Sequence, residues 1–199
     1  MSQTFTDLIK VQPGDALVVV DVQNDFLPGG SLAVPDGDAV VPVINQYLEI
    51  FHSQGLPIFA TRDWHPSDHC SFQVQGGIWP SHCVSDTDGA RFSAQLKLPD
   101  ETVIISKGSN SNEDAYSGFH GTNLNQLLHT QNVNRLFIGG LATDYCVLNT
   151  VKDALFHDYS VFLLEDAIRA VNVQADDGQN ATQEMINLGA ILININLLS

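Results

Sequence analysis

Asp21, Lys107 and Cys146 are residue types that together can run acyl transfer. A cysteine thiol beside a general base attacks an amide carbon, the base carries the thiol proton to the leaving amine, and a neighbouring cation favours the thiolate. Taken singly, each residue has a plainer use. A cysteine on a helix is commonly a small core residue. An aspartate in Asp21-Val22-Gln23-Asn24-Asp25-Phe26 can hydrogen-bond loop amides, and a lysine is usually solvated. Placement argues for chemistry instead. Asp21 follows the apolar block Ala16-Leu17-Val18-Val19-Val20, Lys107 follows Val103-Ile104-Ile105-Ser106, and Cys146 opens a helix after Gly139-Gly140-Leu141-Ala142-Thr143-Asp144-Tyr145. Unpaired amides and the dipole of a first helical turn stabilise a thiolate, and a nearby lysine adds to that. The amides of Ala142 and Cys146 could form an oxyanion hole.

A second group is Asp63-Trp64-His65 with His69 and His82, one carboxylate and three imidazoles suited to one divalent ion with open positions. Zn²⁺ fits first, with Fe²⁺ or Mn²⁺ as alternatives. The spacing is loose, so a purely loop-bonding use of Asp63 and His65 stays open, and Cys83 beside His82 is a weaker ligand candidate. Phe26, Trp64, Trp79 and Tyr116 are aromatics without helical or strand periodicity and could wall a pocket for a flat ring. Gly139-Gly140 belongs to neither GxGxxG nor GxxxxGK[ST], which argues against nucleotide binding.

Short β-branched blocks alternate with helical patterns and must position these groups. Strands are predicted over 15–20, 57–61, 102–106, 135–139, 160–164 and 190–194. Between them fall a helix with Val40, Val43, Ile44, Tyr47, Leu48 and Phe51, capped by Asp38 and stopped by Gly55, and a short helix with Leu124, Leu127 and Leu128. A helix over 145–158 and another with Ala181, Met185 and Leu188 complete the set. Parallel strands need crossovers, and right-handed crossovers wind helices to both faces. The pattern predicts a three-layer α/β/α domain on a six-stranded parallel sheet, one domain over 1–199, with ligands at the carboxyl ends of the strands near the switch point. About forty residues of His, Trp, Gly and Pro separate the second and third strands, a length that marks a functional loop.

Of 199 residues, 8 are Lys or Arg and 23 Asp or Glu, a formal net charge of −15, with 44% apolar and 16% charged residues. That is a globular balance with no basic stretch to neutralise phosphates, so nucleic acid and anionic membrane are excluded as partners. No apolar run approaches the roughly 20 residues of a membrane span, and MSQTFTDLIK lacks the pattern of a secretory signal, so a cytoplasmic location is expected. Cys70, Cys83 and Cys146 are odd in number and scattered, which gives neither a disulfide framework nor a CxxC motif.

Five blocks in order, Asp21-Val22-Gln23-Asn24-Asp25-Phe26, Asp63-Trp64-His65-Pro66 with His69, Trp79-Pro80-Ser81-His82-Cys83, Lys107-Gly108 and Gly140-Leu141-Ala142-Thr143-Asp144-Tyr145-Cys146-Val147, make the chain resemble the nicotinamidase/pyrazinamidase family of isochorismatase-like cysteine hydrolases. The resemblance runs nearly the whole length. It implies hydrolysis of nicotinamide to nicotinate and ammonia, with pyrazinamide also accepted. Cys146 would attack, Asp21 would shuttle the proton, and Lys107 would hold their charges. Ala142 and Cys146 amides would receive the oxyanion, with a cis peptide between Ala142 and Thr143. Asp63, His65 and His82 would ligate the metal, which binds the pyridine nitrogen, and His69 is a fourth candidate. Phe26, Trp79, Tyr116 and Tyr145 would line the ring pocket. A thioester would form at Cys146 and be released by water activated by the metal or by Asp21. Two departures stand out: Ser81 replaces a proline common before the metal histidine, and the polar segment 109–114 precedes Tyr116. The resemblance also admits assembly into a homo-oligomer. The alternatives are another amidase of this kind, such as a carbamoyl amide hydrolase, and a catalytically silent module that holds a pyridine through the metal.

Overall fold

The apolar block after Gly14 becomes β1 (Asp15–Val20), buried at every position, as a strand covered on both faces requires. The computed structural model describes residues 8–198; residues 1–7 and 199, including most of the opening segment read above, lie outside it. Around β1 lie β2 (Ile58–Asp63), β3 (Val103–Lys107), β4 (Arg135–Leu141), β5 (Ser160–Arg169) and β6 (Ile191–Ile193), all parallel in the order β3-β2-β1-β4-β5-β6. The order reverses between β1 and β4, which places the switch point there.

The helices are α1 (Val40–Ser53), α2 (Leu124–Thr130), α3 (Leu148–Phe156) and α4 (Asp177–Leu188). Alternate residues of β1 face opposite layers: Leu17 and Val19 pack with Ile44, Leu48 and Phe51 of α1, while Val18 and Val20 pack with Leu124, Val151 and Met185 of the other helices. The three-layer α/β/α reading is therefore correct. Among the described residues no helix is long and apolar enough to cross a membrane.

Several boundaries differ for local reasons. Strands β2 and β3 run on to Asp63 and Lys107 because those two residues still pair across the sheet. Asp38 is no side-chain cap; it lies in a 3-10 turn, Gly37–Ala39, that leads straight into α1. Gly55 stops that helix as expected, in left-handed backbone with the Leu56 N–H on the Phe51 carbonyl at 2.9 Å. Leu188 is 51% exposed, because three residues on from buried Met185 brings it about 60° round the helix.

In β4, the pairing with β5 shifts register between Ile138 and Gly140, a bulge that re-aims the chain as it leaves the sheet. Gly140 has φ +128°, and a Cβ there would overlap the carbonyl of Val20 on β1. Gly140→Ala is accordingly expected to destabilise the fold by roughly 2–4 kcal/mol, through strained backbone plus forced separation of β1 from β4. Urea unfolding checks this, and an unchanged midpoint would contradict it.

Candidate active site and metal centre

At the carboxyl ends of β1, β2 and β3 the chain delivers Asp21, Asp63 and Lys107 to one buried point, and the turn after β4 brings Cys146 over it. The Lys107 ammonium is fully enclosed. It donates to Asp63 Oδ1, to the Ala115 carbonyl at 3.3 Å and to Cys146 Sγ at 3.3 Å, and lies 2.8 Å from Asp21 Oδ2. The contact with Asp21 Oδ2 is a fully buried ion pair. Oδ1 of Asp21 accepts from Thr61 Oγ1 at 2.6 Å, while the buried Oδ2 faces the Lys107 ammonium. A carboxylate oxygen held close to a thiol is what a proton shuttle needs.

The charges compete for one cation. Burial pushes the Asp21 carboxyl above its ordinary range, Lys107 pulls it back in part, and Asp63 adds to the rise. Burial would also raise Asp63, but Lys107 and His65 outweigh it and hold that carboxyl below the usual range. For Lys107 the loss of water would lower the ammonium's pKa, and Asp21 and Asp63 outweigh that and raise it well above normal. Burial also drives the Cys146 thiol well above its ordinary value, Lys107 opposing and the two carboxylates reinforcing. Sequence position alone pointed to a thiolate. With two carboxylates against one ammonium, burial opposes the thiolate that the sequence position favours. Asp21 lies within 4.8 Å of the sulfur and is placed to receive its proton.

Cys146 also sits in a different turn from the one expected. Residues Thr143–Val147 form a π turn closed on the Ala142 carbonyl, which accepts the Tyr145 and Val147 N–H groups at 3.1 Å each, and α3 begins only at Leu148. The cis peptide joins Leu141 to Ala142, one bond earlier than the resemblance implied; Leu141 still pairs with Arg169, so the chain turns on the bond that leaves the strand.

Asp63, His65 and His82 form a second buried group whose ligand atoms all lie within 4.8 Å of one another. The donor chemistry fits a divalent ion. His65 Nδ1 lies 2.8 Å from the Gly108 carbonyl and His82 Nδ1 lies 2.7 Å from the Pro80 carbonyl, so each carbonyl takes an Nδ1–H and leaves Nε2 as the free donor atom. Burial holds His82 below its ordinary pKa, in the neutral form that ligates. For His65, burial lowers the pKa but the Asp63 carboxylate, 3.6 Å from Nε2, more than reverses this, a pull that any cation at this point would also feel.

His69 does not join that group. Its ring stacks on His65 at 4.1 Å between centroids; Nε2 meets the Glu113 carbonyl at 3.1 Å and Nδ1 the Ser71 hydroxyl at 2.7 Å, so both nitrogens are used. The fourth-ligand expectation is corrected accordingly. Cys83 packs its sulfur into the apolar core and also stands outside the group.

A narrow cleft leads to Cys146, Asp63 and His82, walled by Phe26, Trp79, Tyr116 and Tyr145. Tyr116 is fixed there despite the polar segment before it, because its hydroxyl accepts the Trp79 indole N–H at 2.9 Å, and Tyr145 packs edge-on against Trp79 at 5.0 Å. Leu32, Val34 and Val171 complete the walls. No periodicity marks these three; only the loops' return to the switch point reveals them. Trp64 lies elsewhere, under the Arg62 guanidinium at 3.7 Å. A wider groove lined by Asn24, Asp25, Pro28, Asp88 and Gln95 carries neither the thiol nor the imidazoles.

Known proteins resemble this one along nearly the whole chain. The isochorismatase domain matches residues 15–196. A nicotinamidase of Escherichia coli is 38% identical over 92% of this chain and 96% of its own length. The zinc complex of a pyrazinamidase from Pyrococcus horikoshii superposes with a TM-score of 0.88 at 46% identity, over 92% of this chain and all of that one. PnC1 from L. infantum, in complex with nicotinate, gives 0.89 at 37% identity over 96% and 98%. With a domain match across nearly all the described residues and whole-chain relatives at this level of identity, the chain belongs to the isochorismatase family.

Proposed function

We propose that this protein is a metal-dependent cysteine amidohydrolase that converts nicotinamide to nicotinate and ammonia and also accepts pyrazinamide, residues 1–199 acting as one hydrolase domain. The observation that carries the reading is the buried Asp21 carboxylate beside the Lys107-bound Cys146 sulfur, at the foot of an aromatic cleft that Asp63 and His82 also line, with His65 grouped beside them. Relatives bound to zinc and to nicotinate support the metal and the ring.

The residues divide the work. Phe26, Trp79, Tyr116 and Tyr145 hold the flat ring and exclude water. Asp63, His65 and His82 would hold one divalent ion, Zn²⁺ first, which when bound supplies a Lewis-acid position for the ring nitrogen. Asp21 Oδ2 takes the thiol proton as Sγ bonds to the amide carbon, and Lys107 keeps the carboxylates from repelling the developing charge. Amides of Ala142 and Cys146 receive the oxyanion. Asp21 returns the proton to nitrogen, the C–N bond breaks, and ammonia leaves a thioester. Asp21 then takes a proton from water, whose oxygen attacks the thioester carbon; the C–S bond breaks, the acid departs and the sulfur regains its proton.

Ammonia release from nicotinamide, pyrazinamide and a carbamoyl amide tests this, with and without chelator. Nicotinamide and pyrazinamide are expected to turn over, and chelation to lower kcat/KM by roughly 10²–10³-fold, restored by Zn²⁺. Turnover of the carbamoyl amide alone would overturn the substrate; full activity after chelation would overturn the metal dependence.

A further inference from the structure

Two side chains that hold no reacting atom brace the end of β2 at Asp63 and the loop bearing His82, and both come from the segment directly after Asp21. The Gln23 carboxamide is fully buried and closes on Asp63 from both sides: the Asp63 N–H donates to Oε1 at 2.8 Å, and Nε2 donates to the Asp63 carbonyl at 2.8 Å and the Ala90 carbonyl at 2.9 Å. Asp25 reaches the His82 loop. Its Oδ2 accepts the Cys83 N–H at 2.7 Å across 58 residues of chain, and Oδ1 accepts the Ser31 N–H at 3.2 Å. Cys83 follows His82 directly and has φ +45°, a left-handed conformation that a non-glycine residue keeps only when its surroundings impose it. The carboxylate lies against Gly89, where any Cβ would overlap it, so the contact is built from both sides.

We propose that Asp25 is a positioning residue for the metal centre: through the Cys83 amide its carboxylate holds the left-handed turn that aims His82, as Gln23 holds Asp63. The proposal rests on Asp63, His65 and His82 being the metal ligands. It makes the segment that carries the proton acceptor also the frame of the metal site.

The test compares wild type, Asp25→Ala, Asp25→Asn and His82→Ala for Zn²⁺ affinity by chelator competition, for kcat and KM separately, and for iodoacetamide alkylation at Cys146 resolved by mass. Asp25→Ala is expected to weaken Zn²⁺ about 10–100-fold and raise KM more than it lowers kcat, with Cys146 alkylation within about two-fold of wild type. Asp25→Asn keeps an acceptor oxygen for the Cys83 N–H and should recover most of the affinity. If Asp25→Ala does not fold, Gly89→Ala, whose methyl displaces the carboxylate, should weaken Zn²⁺ in the same direction. Wild-type Zn²⁺ affinity in Asp25→Ala while His82→Ala loses the ion would overturn the proposal, as would Asp25→Asn behaving no better than alanine. Equal, weak binding by wild type and His82→Ala would overturn the metal assignment itself and this proposal with it.

Discussion

Cys146→Ala is expected to lower kcat for ammonia release by about 10⁴–10⁶-fold while leaving the fold and the binding of nicotinamide in place, because loss of a nucleophile removes the covalent path and not the pocket. The sulfur contributes one acceptor to Lys107, whose other contacts to Asp21, Asp63 and Ala115 survive, so no buried charge is stranded. The aromatic walls and the imidazoles of His65 and His82 do not depend on Sγ. Cys146→Ser separates nucleophilicity from shape: a hydroxyl fits, but ionises far less readily than a thiol in the same buried, carboxylate-flanked position, and should recover little. Mass spectrometry of quenched wild type should show an acyl adduct on Cys146 that both variants lack. Turnover near the wild-type rate in Cys146→Ala would mean that water is attacked directly and that the thiol is only a core residue.

What the sequence revealed of this site follows from where its information is stored. Strands β1, β3 and β4 are locally encoded as short apolar blocks, so Asp21, Lys107 and the turn to Cys146 could be placed at strand ends from spacing alone. Their convergence then followed from parallel topology and the switch point. The fate of His69 was not encoded near His69: its Nε2 is taken by the carbonyl of Glu113, 44 residues on, so spacing from His65 carried no information about ligation. Strands β2 and β3 lengthen because Asp63 and Lys107 pair with each other, a partner property rather than a propensity. The forces that oppose a thiolate were hidden for a related reason. A helix start and a lysine are visible as local features, whereas burial and the sum of two carboxylates against one ammonium exist only after folding. Gln23 and Asp25 lay in plain view in a recognised block, but only their partners, Asp63 and Cys83, show what they hold.

Lys107→Met should be the most damaging substitution in stability and activity together. Methionine fills much of the lysine volume, so packing is largely kept and the effect isolates the charge. Two buried carboxylates, Asp21 and Asp63, then lose the one ammonium between them, and stranding buried charge in this way costs about 3–5 kcal/mol. The same loss removes the attraction that opposes burial at Asp21, whose folded pKa must rise further above its unfolded value. A carboxyl raised on folding stabilises the native state below its unfolded pKa, and that contribution disappears as pH rises through the folded pKa. Measured by urea unfolding of chelated protein, the deficit of Lys107→Met against wild type should therefore shrink toward acid pH and be largest near neutrality. Activity should move the opposite way from any rescue: the acid that steadies the variant protonates Asp21 and removes the acceptor for the Cys146 proton, so kcat should stay at least about 10³-fold down at every pH. A deficit independent of pH would place the damage in packing; near wild-type kcat in a folded variant would show that the ammonium stabilises the fold without taking part in the proton path.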